Sequence, residues 1–260
     1  MKKLLYILIV TLSIGSIIFG HFYWKAKISD NHLSSIASAE NTSNTTENVA
    51  EKKSKESKKK PTKNGSKQPN YKELTGNMTS ELQNLILQKI DAGEPIKLAI
   101  IGSGAQTKGS TPWPSLFKER LNQAYGTEVF DIVPTSFGDG WSIEIIYGDK
   151  FNSVVETSPD IVLLEPFLLN DNADINIDDT LASIRYMNNR FLEQNGEMVL
   201  LLQPPHPVFE PSLYLSQVES LKEFAKEKGH IYLNHWEDWP DSDNAEIKNY
   251  LLTDGSGPVI

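Results

Sequence analysis

The chain has 260 residues, contains no cysteine and carries a formal net charge of −9. The charge is unevenly divided, because residues 73–260 hold 12 Lys and Arg against 29 Asp and Glu, a net charge of −17. Such an acidic segment argues against nucleic acid as a partner, since phosphate binding requires clustered positive charge. The absence of cysteine excludes disulfides and a lipid anchor attached through a cysteine side chain.

The N-terminal residues predict a membrane anchor over 1–27. Residues 4–24 are almost wholly apolar and are flanked by lysines on both sides, and their number is about what a helix needs to span a bilayer. We expect a single-pass anchor with the remaining chain outside the cell. The alternative is a cleaved signal peptide that leaves a secreted protein, although the small-residue site at 37–39 lies some way beyond the apolar run.

Residues 28–72 predict a solvated tether. The stretch is polar, and residues 51–72 contain nine lysines against two glutamates. Such a composition cannot bury enough apolar surface to offset the entropy of ordering. The lysines are suited to contact anionic polymers of the cell envelope or the headgroup surface.

Residues 73–260 predict one α/β domain. An amphipathic helix over 78–92 comes first and ends at Gly93. Strands are then predicted at 97–101, 128–133, 160–165, 197–203 and 230–234, and helices at 113–124, 142–157, 178–194, 212–228 and 244–251. The third and fourth strands are continuously apolar, which is typical of strands covered by helices on both faces. The alternation indicates a three-layer α/β/α sandwich with a five-stranded parallel sheet.

Small and polar residues follow the first three strands, at the edge where open α/β sheets build their sites. Ser103 lies between two glycines after the first strand, and is either an exposed nucleophile or part of a tight turn. Gly138 follows the second strand, where its N–H is suited to hold an oxyanion or the residue is an ordinary turn glycine. Asn170 precedes Asp171 after the third strand, where its amide could donate to the same oxygen.

This order of residues resembles the SGNH (GDSL-type) hydrolases over residues 95–260. The family carries a Ser, a Gly, an Asn and an Asp-x-x-His block in this order. The resemblance implies an α/β/α sandwich and an attack of Ser103 on an acyl carbonyl. It further implies oxyanion binding by the Ser103 and Gly138 amides and the Asn170 side chain, and a histidine oriented by Asp254 that serves as base and acid.

The chain departs from the family pattern at the nucleophile and at the histidine. The family Gly-Asp-Ser is Gly102-Ser103-Gly104 here, so either Ser103 is displaced by one place or the nucleophile position is Gly104 and empty. The expected histidine position is Gly257. Either the chain is a truncated form that stops before the histidine and final helix, or the protein is a non-catalytic relative. His206, after the fourth strand, and His235, after the fifth, are the candidate substitute bases.

The resemblance and the predicted anchor together favour an extracytoplasmic serine ester hydrolase acting on lipid or cell-envelope glycan. The alternative is an inactive domain of the same fold that binds envelope glycans. A solute-binding surface protein using the same strand-end crevice is a third hypothesis. We expect no cofactor and no metal, because no phosphate-binding loop is present and the acidic residues at 174–178 lack the glycine and glutamate of a calcium loop.

Overall fold

The computed structural model describes residues 69–148 and 150–259. The predicted anchor and nearly all of the predicted tether lie outside these residues. Within them, no helix is long and apolar enough to cross a membrane. Tyr71, which the sequence-based boundary leaves in the tether, lies in a short helix and stacks on Tyr125 with 6.1 Å between the ring centroids.

The core is a five-stranded parallel sheet, which confirms the predicted fold class. The spatial order of the strands is β2-β1-β3-β4-β5, and every neighbouring pair is parallel. The strands are β1 (Ile96–Gly102), β2 (Phe130–Ser136), β3 (Ile161–Leu164), β4 (Val199–Leu202) and β5 (Ile231–Tyr232). The chain order reverses between β1 and β3, and the crevice that this creates is where open α/β sheets bind ligands.

Two of the described α-helices precede β1, and the others connect successive strands. They are α1 (Tyr71–Leu74), α2 (Ser80–Ala92), α3 (Trp113–Tyr125), α4 (Ser142–Tyr147), α5 (Asn152–Val155), α6 (Leu168–Asp171), α7 (Ile177–Gln194) and α8 (Leu213–Lys228). In the described residues, three 3₁₀ helices cover Gly104–Thr107, His235–Asp238 and Ala245–Tyr250. The Thr79 side chain caps α2 by accepting from the Leu82 N–H, and Gly93 ends this helix in the left-handed conformation with φ 71°.

Alternate residues of a strand belong to two separate hydrophobic cores, one on each face of the sheet. A strand covered on both faces is therefore apolar at every position. In β3, Val162 and Leu164 pack with α4, α5, α7 and α8. Ile161 and Leu163 pack on the opposite face with α2 and α3. Side chains at alternate positions of a strand point to the same face of the sheet. Glu165, directly after β3, therefore continues the face that carries α2 and α3.

Several predicted elements differ from the structure, among them the fifth strand, which is predicted over 230–234 and covers only Ile231–Tyr232. The predicted helix over 142–157 is two helices, because Gly148 ends α4 and a Cβ there would lie 2.9 Å from the Glu144 carbonyl oxygen. The predicted helix over 244–251 is a 3₁₀ helix. The second strand begins and ends later than predicted, since β2 continues through Pro134.

Strand β2 tolerates Pro134 because it lies at an edge of the sheet. The hydrogen-bond ladder between β2 and β1 begins where the Ile96 N–H donates to the Val129 carbonyl. It ends where the Phe137 N–H donates to the Gly102 carbonyl. The backbone N–H and carbonyl groups of odd-numbered β2 residues therefore point toward β1. The backbone of Pro134, an even-numbered residue, points away from the sheet. The Lys118 ammonium donates to the outward carbonyl of Ile132 at 3.2 Å.

Candidate active site

Ser103 and Glu165 meet at the carboxyl ends of β1 and β3. The Ser103 Oγ lies 3.5 Å from Glu165 Oε1 and also accepts from the Ala105 N–H at 3.3 Å. Ser103 is 0% exposed and Glu165 is 4% exposed. Adjacent parallel strands bring the two residues together, although they are 62 positions apart in the sequence. The serine hydroxyl therefore faces a buried carboxyl group.

Among the described residues, the groups that donate to the Glu165 carboxyl group are neutral. The side chains of Ser103, Trp113 and Gln203 hydrogen-bond to it, and no Lys or Arg in the described part of the chain forms an ion pair with it. Burial raises the pKa of Glu165 to about 7, and the three hydrogen bonds offset only part of the effect of burial. A carboxyl group that titrates near neutrality can hold or release a proton under physiological conditions.

Glu165 also opens onto a cavity of about 250 Å³ between α3 and the 3₁₀ helix His235–Asp238. The polar groups that line this cavity are Glu165, Gln203, His206 and His235. The remaining lining is apolar and includes the two tryptophans Trp113 and Trp239. Both candidate histidines and Glu165 thus line one cavity. Ser103 is not among the lining residues and contacts Glu165.

Neither histidine hydrogen-bonds to Ser103 within the residues that the structure describes. The His206 Nε2 lies 3.2 Å from the Gly255 carbonyl oxygen, and the His235 Nε2 lies 2.8 Å from the Pro204 carbonyl oxygen. A carbonyl only accepts, so each Nε2 carries the proton and donates. Burial lowers the pKa of both imidazoles. Both are therefore neutral near pH 7, with Nδ1 as the acceptor nitrogen.

Gly138 and Asn170 form a second cluster at the same edge of the sheet. The Gly138 carbonyl accepts from the Gly104 N–H at 2.7 Å and from the Asn170 Nδ2 at 3.0 Å. Asn170 also donates to the Gly140 carbonyl at 2.9 Å, and the Gly138 N–H donates to the Ser136 Oγ at 3.3 Å. Two donors, the Gly104 N–H and the Asn170 amide, thus converge on the Gly138 carbonyl oxygen.

Asp254 hydrogen-bonds to Ser256 and, among the described residues, to no member of either cluster. It is exposed, and its Oδ1 accepts from the Ser256 N–H at 3.0 Å, so hydrogen bonding to Ser256 lowers the pKa of Asp254. Gly257 is buried, and a Cβ at this position would lie 2.5 Å from the Lys108 Cβ. A side chain at position 257 would therefore have to displace Lys108.

No protein-family model and no curated protein matches the sequence. Solved structures do match: a mutant acetyl esterase with an acetate ion (16% identity, TM-score 0.52) and a carbohydrate esterase family 3 protein from Talaromyces cellulolyticus (15%, 0.51). A protein from Parabacteroides merdae named as a GDSL-like lipase matches at 11% identity with a TM-score of 0.50. Each match covers 63% of this chain and 88% of the other.

The chain has the SGNH hydrolase fold.

The sequence leaves open whether the nucleophile position of the SGNH fold is Ser103 or Gly104. In the turn after β1, these two residues have different surroundings. Ser103 is the N-cap of the 3₁₀ helix Gly104–Thr107, and its side chain points toward Glu165. Gly104 begins the helix, and a Cβ there would lie 2.8 Å from Asp139 Oδ1. Ser103 is therefore the hydroxyl at this turn, and it faces a carboxyl group rather than an imidazole.

Glu165 is the site residue that sequence reasoning missed. The sequence places it at the end of the third predicted strand and gives it no role. A carboxylate that ends a fully apolar strand is the signal that could have identified it, because charged residues are almost never fully buried unless they are paired. No group of three or more His, Asp or Glu side chains in residues 69–148 and 150–259 is placed to hold a metal ion.

Proposed function

We propose that this chain is an SGNH-type ester hydrolase that acts outside the cytoplasm on acyl esters of envelope lipid or glycan. The observation that carries the proposal is the Ser103 Oγ held 3.5 Å from Glu165 Oε1 at the carboxyl edge of the sheet. The extracytoplasmic location is proposed from the apolar run at 4–24 and the lysine-rich segment that follows it.

Glu165 serves as the base in this proposal. A general base works best when its pKa lies near the working pH, and burial brings the pKa of Glu165 to about 7. The ionised carboxylate takes the proton of Ser103 as the Oγ bonds to the acyl carbon. The protonated Glu165 then returns this proton to the departing alkoxide, and a water molecule releases the acyl group in the reverse sequence.

The oxyanion that forms in this step needs donors. The Gly104 N–H and the Asn170 amide already point at one oxygen, that of the Gly138 carbonyl. A substrate carbonyl oxygen that replaces the Gly138 oxygen receives both hydrogen bonds. Gly138 has φ +65°, and a glycine can adopt other backbone conformations at little cost, so the exchange is compatible with this residue.

A fluorophosphonate probe tests the proposal on the full-length chain. We expect the probe to label Ser103, as located by mass spectrometry, and Ser103→Ala to abolish both labelling and hydrolysis of p-nitrophenyl butanoate. The exposed Ser115 provides the matched control, and Ser115→Ala should keep both. Labelling that persists in Ser103→Ala, or unchanged ester turnover in that variant, contradicts the proposal.

A second function is favoured by a different observation. Ser103 is fully buried, and Gly257 occupies the position where the SGNH pattern has its histidine. These features suit a non-catalytic domain that binds envelope glycan esters. Retention of an acetylated glycan by an unlabelled and inactive chain, together with no retention of the deacetylated glycan, would favour this second function over hydrolysis.

A further inference from the structure

The cavity beside Glu165, which we call the Glu165 cavity, has one acidic group in its lining and no basic side chain of Lys or Arg. Two imidazoles also line it, those of His206 and His235. Burial lowers the pKa of both, so they add no positive charge near pH 7. A buried carboxylate normally has a cationic partner. Among the described residues, the groups that hydrogen-bond to Glu165 include no cation.

The polar atoms of the lining that have no proton to share are acceptors. His206 and His235 each donate through Nε2 to a backbone carbonyl, which makes Nδ1 the acceptor nitrogen of each ring. The Gln203 side chain hydrogen-bonds to the Glu165 carboxyl group. Since a carboxylate only accepts, the amide nitrogen of Gln203 donates and its oxygen remains as an acceptor. Such a lining suits a ligand that donates several hydrogen bonds, as an ammonium group does.

The rest of the lining is apolar and largely aromatic, which suits an alkyl chain attached to a cation. Trp113 and Phe117 lie one turn apart on α3 with 6.4 Å between their ring centroids. Trp239 contacts the rings of His235 and Tyr250 edge to face, and these contacts hold its indole in place. Aromatic side chains, and tryptophan above all, attract cations through the electrons of the ring.

The size of the cavity limits the ligand. A volume of about 250 Å³ corresponds to about eight groups of water size at about 30 Å³ each. An ammonium group on an alkyl chain of about four to six carbons fits this volume. An amine that also carries a phosphate does not suit the cavity, because no Lys or Arg lines it to receive the phosphate.

We propose that the Glu165 cavity binds a primary ammonium group carried on a short alkyl chain. The ammonium lies against the Glu165 carboxylate, and the alkyl chain lies between the aromatic side chains. Binding of this kind does not require Ser103 to react, so it goes beyond the proposed function. The net charge of −17 over residues 73–260 favours it further, because a strongly negative surface raises the local concentration of cations.

Calorimetric titration of the full-length chain with n-butylammonium tests the cation site. At pH 8 the Glu165 carboxyl group is mostly ionised, because its pKa is about 7. We expect saturable binding at one site, with a Kd at least about tenfold lower than that of the neutral 1-butanol. Equal Kd values for the two ligands, no saturable binding of n-butylammonium, or tighter binding of ethanolamine phosphate overturns the assignment.

Variants at the acidic group sharpen the test. Glu165→Gln keeps the shape of the side chain and removes its charge, so the preference for n-butylammonium over 1-butanol should fall to about twofold or less. Glu193 is exposed, and Glu193→Gln is the control that should keep the preference. Circular dichroism should show the same folded spectrum for both variants. A preference that survives in folded Glu165→Gln overturns the assignment.

The aromatic lining provides a second pair of variants that leaves the charge in place. Trp239→Ala should raise the Kd of n-butylammonium by about fivefold or more, since it removes both apolar contact and attraction to the cation. Trp141 is 38% exposed and does not line the cavity, so Trp141→Ala should leave the Kd unchanged. The same Kd in the two tryptophan variants overturns the assignment even where Glu165→Gln fails to fold.

Two further measurements separate the cation site from the hydrolase and identify the source of the ammonium. Binding of n-butylammonium by a chain that hydrolyses no ester supports the cation site and contradicts the hydrolase, whereas hydrolysis that depends on Ser103 without any such binding does the reverse. Nα-acetyl-lysine amide carries the same ammonium and alkyl chain on a peptide unit. A lower Kd for this compound than for n-butylammonium identifies a lysine side chain as the ligand, and a higher Kd identifies a free amine.

Discussion

Asp160 and Glu165 bracket the same strand, β3, and both carboxyl groups are buried, at 8% and 4% exposure. At the amino end, Asp160 Oδ1 lies 3.1 Å from the Lys89 ammonium, and Oδ2 accepts from the Lys97 N–H at 2.9 Å. At the carboxyl end, the donors to Glu165 within the described part of the chain are the neutral side chains of Ser103, Trp113 and Gln203. The hydrogen bond with Asp160 is the largest cause that raises the pKa of Lys89, whereas burial without a cation raises the pKa of Glu165 to about 7.

The comparison separates a buried carboxyl group that is paired with a cation from one that has no cationic partner among the described residues. A buried charge is normally paired, and an unpaired carboxyl group instead takes up a proton near neutral pH. Asp160 anchors α2 to the sheet through Lys89. Glu165 is held next to the Ser103 hydroxyl and a cavity.

Replacement of the unpaired carboxyl group should have the largest effect on activity. Glu165→Gln keeps the shape of the side chain and removes the base, so kcat/KM for p-nitrophenyl butanoate should fall about 10²- to 10⁴-fold. The exposed Glu193 provides the control, and Glu193→Gln should leave turnover within twofold. If Glu165→Gln turned over the ester as fast as Glu193→Gln, Glu165 would have no role in the reaction.

Asn170 tests whether the carboxyl edge as a whole, and not Glu165 alone, carries the chemistry. Asn170→Ala should lower kcat by about 10² to 10³, the effect of losing one oxyanion donor. Asn249 is exposed and provides the matched control. Circular dichroism should show the same folded spectrum for both variants. If Asn170→Ala were as active as Asn249→Ala, the amide would act only on the Gly138 and Gly140 carbonyls.

The stability of the fold should depend on pH through Glu165. Because its folded pKa, about 7, lies above the ordinary value of 4.5, the folded state binds the extra proton between these values. The resulting stabilisation is fully present below pH 4.5 and is lost as the pH rises through 7. From pH 5 to pH 8, the wild type should lose about 2–3 kcal/mol more unfolding free energy than Glu165→Gln.

Urea unfolding of the full-length wild type and Glu165→Gln at the two pH values measures this difference. All other titrating groups are common to the two chains, so their contributions cancel. Parallel pH dependence in both chains would mean that Glu165 has an ordinary pKa in the folded protein.

The smallest effect is expected at the paired end of the strand. Asp160→Asn removes the ion pair with Lys89, whose side chain is 31% exposed, so solvent screening limits the loss of unfolding free energy to about 1–2 kcal/mol. Glu193→Gln, which breaks the exposed pair with Arg190, should cost less than about 1 kcal/mol. Hydrolysis by Asp160→Asn should remain at the wild-type rate. A loss of activity with intact stability would contradict the division of roles between Asp160 and Glu165.

The sequence predicts the layers of the fold well because burial on both faces has a local signature. The apolar run at 160–165 and the one at 197–203 correspond to β3 and β4, each shorter by one or two residues at either end. The break after Tyr147 was missed because the periodicity of apolar residues continues past Gly148. The continuation of β2 through Pro134 was missed because the sequence does not say which strand lies at an edge.

The site was only partly predictable for a related reason. Ser103, Gly138 and Asn170 are predicted as site residues because each follows a predicted strand in a recognisable order, and the structure places them at the carboxyl edge of the sheet. The contact of Ser103 with Glu165 depends on β1 and β3 being neighbours, and no local pattern encodes that pairing. The commitment of His206 and His235 to backbone carbonyls is likewise a product of the tertiary fold.

The outward edge of β2 also affects the tendency of this domain to aggregate. An open strand edge is a template for aggregation when its N–H and carbonyl groups are free to pair. Here Pro134 offers no N–H, and the Lys118 ammonium holds the neighbouring Ile132 carbonyl. The opposite edge, β5, is only two residues long. Neither edge offers a long continuous row of partners, so intermolecular sheet growth is disfavoured even at high local concentration.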